Sequence, residues 1–166
     1  MSSPRHILVA LAGTEDSTFA QQVGGVVGTA EPRLQVTLIH VEENGPRELA
    51  AHDPLLRRGL WPRPAVQNIE LRLAAADAEA AAELLEIWHE RFASVFPAAE
   101  IGDLVANGRP EQEITAAAAR INADLLVIGA RPRSGPTEAS PRSVGHVARF
   151  VLDHAPVPVV LIRRAG

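Results

Sequence analysis

The strongest constraint on the fold is an alternation. Short apolar, β-branched runs alternate with longer stretches whose apolar residues recur at helical spacing. Residues 7–11 (ILVAL) are continuously apolar and stop at Ala12-Gly13-Thr14. Such runs suit strands buried on both faces of a parallel sheet. Helix N-cap candidates follow in Thr14-Glu15-Asp16-Ser17, with acids for a first turn, and then Phe19, Val23, Val26 and Val27 at helical spacing. Residues 34–41 (LQVTLIHV) predict a second strand. Residues 42–65 hold Gly45, Gly59 and four prolines and predict a long mobile connection.

The second half repeats the theme. Residues 65–95 are alanine-rich, without glycine or internal proline, and carry Leu84, Leu85, Trp88 and Phe92 as an apolar stripe, so they predict a long amphipathic helix ended by Pro97. Residues 100–106 predict a strand, Asn107-Gly108-Arg109 a turn, and Pro110 a first helical position before Ile114, Ala117, Ala118 and Ile121. Residues 125–128 predict a fourth strand ending at Gly129. After a polar segment, Ser143 is expected to cap a helix bearing Val144, Val147, Val151 and Leu152, and residues 157–162 predict the last strand. The order is βαβαβαβαβ. It predicts one α/β domain over 1–166: a doubly wound, five-stranded parallel sheet, strand order 3-2-1-4-5, with helices on both faces. A ligand would sit where the winding reverses, between Ala12-Gly13-Thr14 and Gly129-Ala130-Arg131.

Composition removes whole classes of chemistry. There is no cysteine, which excludes thiolate nucleophiles and thiolate metal sites. All 16 basic residues are arginine, so no lysine is present for a Schiff base or a phosphate loop. A formal charge of −4 argues against nucleic acid as a partner. No apolar run approaches about 18 residues, which argues against a membrane span. The first apolar run is too short for a secretory signal, and a cytoplasmic location is expected. There is no dinucleotide fingerprint, phosphate-loop motif or nucleophile elbow, and Gly24-Gly25-Val26-Val27-Gly28 falls inside a predicted helix.

The segments ILVALAGTEDS, VANGRPEQEI, ADLLVIGARP and SVGHVARFVLDHAPVPVVLIR resemble the universal stress protein family, in the right order and across nearly the whole chain. The resemblance implies an α/β domain that forms homodimers, often with ATP near the fourth strand. The family's ATP pattern is a glycine, two residues, a glycine, nine residues, then glycine and serine or threonine. Here Gly129, Arg131 and Ser143 match, but Pro132 and Arg142 stand where the second and third glycines belong. Those glycines allow close backbone approach to phosphate, and proline also removes an N–H donor. At the end of the first strand the family's nucleotide-holding acid is replaced by Ala12, while Gly13, Thr14 and Val41 fit.

The resemblance therefore points to a degenerate nucleotide or anion site at Gly13, Thr14, Val41, Gly129, Arg131, Arg142, Ser143 and Val144. The alternative to an anion site is a solvated, arginine-bearing loop. No cofactor is expected, with ATP the alternative, and neither a catalytic residue nor a metal ligand is assigned. His154 suits the capping of its helix's last carbonyls. His40 suits a sheet face and His89-Glu90 an exposed helix face, His52-Asp53 is weak as a metal pair, and His6 and His146 have no partner at a telling spacing. The expected function is a non-enzymatic, stress-associated binding or regulatory module that does not bind ATP in the family manner. The alternative is a nucleotide- or anion-binding member with weak or no hydrolysis. The expected partner is a second copy, joined through the uncharged edge run Val157, Val159, Val160, Leu161 and Ile162, and an unidentified protein partner is possible.

Overall fold

The computed structural model describes residues 5–13, 15, 17–29, 33–43, 63–130 and 144–163. In chain order the elements are β1 (His6–Leu11), α1 (Phe19–Val27), β2 (Gln35–Glu42), α2 (Arg63–Val95), β3 (Glu100–Asn107), α3 (Pro110–Arg120), β4 (Leu125–Gly129), α4 (His146–His154) and β5 (Val159–Ile162). The five strands form one sheet of order β3-β2-β1-β4-β5, and every pairing is parallel. The chain winds from β1 outward to β3, then returns past β1 to β4 and β5. The direction therefore reverses between β1 and β4.

Side-chain parity divides the core into two layers. Successive residues of a strand point to opposite faces. Ile7, Val9 and Leu11 of β1, Val36 and Leu38 of β2 and Val127 of β4 pack under α1 and α2. Leu8 and Ala10, Ile39 and Val41, and Leu126 and Ile128 pack under α3 and α4. Continuous apolar runs are thus what a sheet covered on both faces requires.

The first layer is built on aromatics. Phe19 meets Trp88 edge-on at 5.8 Å, and Phe92 stacks on Phe96 at 5.9 Å. Arg91 lies over the Trp88 ring at 4.6 Å. The α1–α2 seam runs along small residues: Ala20 and Gly24 are buried with Phe19 and Val23. Val26 lies at the edge of that stripe and is 59% exposed, so it does not join the inward face its spacing suggested. In the second layer Ile114, Ala117 and Ala118 of α3 face Ala148 and Val151 of α4.

Several predicted boundaries shift. The ladder takes in His6, Glu42 and Asn107, because backbone pairing is indifferent to a polar side chain at a strand end. Helix α1 starts at Phe19, after Thr18, rather than within 14–17. Gly145, at φ +90°, is the N-cap of α4 in place of Ser143. Glycine adopts that backbone angle without strain. Strand β5 begins at Val159, so Val157 lies before it. Pro158 still contributes its carbonyl, which accepts from the Leu126 N–H at 3.0 Å.

Candidate functional site

A cavity of about 260 Å³ opens over the carboxyl ends of β1 and β4. That is the winding reversal, the position favoured for ligands in open α/β sheets. Its walls are mostly apolar: Leu11 from β1, Phe19 from α1, Val41 from β2, Ile114 from α3, Ile128 from β4 and Val147 from α4. Strand register brings these ends level, with Ala10 beside Ile128 and Leu11 beside His40.

The polar groups are few. Glu15 reaches back to the end of β1, where its Oε1 accepts the Ala12 N–H at 2.7 Å. Its Oε2 is buried and meets no donor among the described residues. A buried, unsatisfied carboxylate oxygen is costly, so such an atom marks a place where a donor belongs. Glu15 also lies against β4: a side chain added at Gly129 would come within 3.8 Å of its Cγ and Oε1. His40 donates from Nδ1 to the Leu11 carbonyl at 3.2 Å, which fixes its ring at the cavity wall. Glu43, Gln22 and His146 complete the polar lining. Among the described lining residues there are two carboxylates and no arginine.

Of the residues singled out in the sequence, Val41, Gly129 and Val144 line this cavity. Gly13 does not: at φ +78° it turns the chain, and a side chain there would meet Leu84 of α2 at 3.8 Å. Thr14, Arg131, Arg142 and Ser143 lie outside the described residues, as does most of the 42–65 connection with His52, Asp53 and Trp61. Glu15, read as a first-turn acid of α1, precedes that helix and belongs to the cavity. His40, read as a sheet-face residue, and His146, which has no partner at a telling spacing, also line it. Only parallel register places His40 beside Leu11, and no local motif announces it. His154 caps as expected, donating from Nδ1 to the Phe150 carbonyl at 2.9 Å. His89 is committed to Asp103 at 3.0 Å on the surface.

A model of the Universal stress protein family matches residues 4–163. The chain belongs to the universal stress protein family. Comparison with curated protein sequences gives no significant match. Solved structures with the same fold include the universal stress protein UspA from Lactobacillus plantarum, at 20% identity and a TM-score of 0.69, covering 98% of this chain and 100% of that one. A family member from Arabidopsis thaliana with AMP bound matches at 17% identity and a TM-score of 0.64, covering 98% and 94%. The universal stress protein from Archaeoglobus fulgidus in complex with dAMP matches at 19% and 0.61, covering 95% and 97%. Among the described residues no helix is long and apolar enough to cross a membrane, and no group of three acidic or histidine side chains is placed to hold a metal ion.

Proposed function

We propose that this universal stress protein is a non-enzymatic module that binds an adenine nucleotide or nucleoside in the cavity between β1 and β4. The observation that carries the reading is the cavity itself. It lies at the winding reversal, has apolar walls suited to a flat base, and holds a buried carboxylate oxygen with no donor among the described residues. The AMP- and dAMP-bound relatives favour nucleotide binding over the expectation of a module that binds none. The departures at Ala12, Pro132 and Arg142 bear on which part of a nucleotide is held, and they weigh against a family-type triphosphate grip.

The protein is further proposed to act in the cytoplasm as one domain and as a homodimer built on β5. β5 is an edge of the sheet, and its residues Val159, Val160 and Leu161 are only half buried. An isologous contact would satisfy the exposed edge groups. Ile162 ends β5 with its side chain buried in the core and lining the cavity, so it would join that contact through its backbone.

Thermal unfolding with added AMP or adenosine tests the binding reading. A ligand at one hundred times its dissociation constant adds about 2.7 kcal/mol of stability. A rise in melting temperature with AMP or adenosine, absent with equimolar sulfate, is expected. No rise with any adenine compound at millimolar concentration would refute it. Native mass spectrometry of freshly purified protein reports the oligomer and any retained nucleotide together.

A further inference from the structure

We infer that Glu15 is the specificity residue of the cavity: it supplies the carboxylate that position 12 lacks and selects the nucleoside part of a ligand over a polyphosphate tail. The inference rests on the adenine-binding reading above and identifies what that site recognises.

Three observations meet at one side chain. Ala12 follows β1 at the cavity wall and has no side-chain acceptor, but its N–H holds Glu15 Oε1 at 2.7 Å. That bond fixes the carboxylate and leaves Oε2 buried without a donor among the described residues. The same carboxylate lies against Gly129, the one glycine of the nucleotide pattern present here. A bare glycine at a strand end ordinarily lets a backbone approach phosphate. Here the space over it is bounded by the Phe19 ring at 3.6 Å and the Glu15 carboxylate at 3.8 Å. A phosphate chain crossing Gly129 would meet like charge, and Glu43 adds a second carboxylate to the lining. A sugar hydroxyl or a base amino group would instead give Oε2 the donor it lacks, in a charge-assisted bond. The apolar walls of Phe19, Val41 and Ile114 suit a base and offer nothing to phosphate.

Glutamine at position 15 separates the two roles of the carboxylate. Its oxygen can keep the Ala12 bond, and its NH₂ then faces the ligand as a donor against a donor. Aspartate keeps the charge and loses one methylene of reach.

The test is isothermal titration calorimetry of the full chain with adenosine, AMP and ATP, on wild type, Glu15→Gln and Glu15→Asp. Wild type is expected to bind adenosine or AMP more tightly than ATP. Glu15→Gln is expected to weaken adenosine and AMP about ten- to a hundredfold, the range for a hydrogen bond to a charged group. Glu15→Asp should weaken them too, because reach as well as charge is needed. Unliganded melting temperatures within a few degrees of wild type establish that the variants fold. If wild type binds these ligands but the variants bind them equally well, or if ATP binds more tightly than AMP, the role of Glu15 is refuted and the binding module stands. If wild type binds none of the three, both readings fall.

Discussion

Gly24 and Gly25 are neighbours in α1 with opposite surroundings, so the same substitution should change stability in opposite directions. A Cβ at Gly24 would lie 2.6 Å from Val95 Cγ1 and 3.2 Å from Thr29 Cγ2. A Cβ at Gly25 meets nothing within 4 Å. Neither glycine has a positive φ, so alanine fits the backbone at both. Replacing glycine by alanine in a helix gains about 0.8–1.0 kcal/mol. Gly25→Ala should keep most of that gain. At Gly24 an overpacking cost of about 1–3 kcal/mol opposes it. Val95 is β-branched and ends α2, so its stiff χ1 gives the methyl little room to retreat. The net for Gly24→Ala is therefore a loss of up to about 2 kcal/mol, and the two variants should differ by about 1–3 kcal/mol. Urea unfolding, with midpoints compared at constant slope, resolves that difference. In melting temperature it corresponds to about 2–4 °C per kcal/mol for a chain of this size. Val95→Ala should rescue Gly24→Ala, with a coupling of about 0.5–3 kcal/mol in a double-mutant cycle. Equal stabilisation by both alanines would refute the close approach of α1 and α2.

Two further outcomes are expected. Phe92→Ala removes a fully buried ring packed against Phe19, Trp88 and Phe96, and should cost about 3–5 kcal/mol by chemical unfolding; a loss below about 1 kcal/mol would contradict the aromatic core. Val160→Asp places a charge on the β5 edge and should shift a wild-type dimer toward monomer in sedimentation velocity at tens of micromolar (a range where a modest interface survives), and a monomeric wild type would dispose of the β5 interface.

Much of the architecture was legible because burial on both faces leaves a periodic trace. Each continuous apolar run became a strand, and the helical stripes covered the sheet apart from Val26 and Leu152, which are exposed, so the strand order followed from connection rules. The cavity was legible as a place, the reversal between β1 and β4, and Val41, Gly129 and Val144 are among its lining. Its polar chemistry was hidden for a specific reason. Glu15 stands among three cap formers, Thr14, Asp16 and Ser17, where local propensity assigns an acid to a helix's first turn. The free Ala12 N–H at the end of β1 competes for the same carboxylate and takes it, and the helix starts later. A pattern compared position by position thus registers Ala12 as a lost acid and does not register the carboxylate bonded to its N–H from three residues away. The loss of an acid at a strand end removes a function only if no neighbouring side chain can reach the same space, and a glutamate two methylenes long can. Motif arithmetic counts positions along the chain, whereas a ligand meets atoms in space. A degenerate motif is thus weak evidence of a lost site wherever a longer side chain stands within one turn of the missing one.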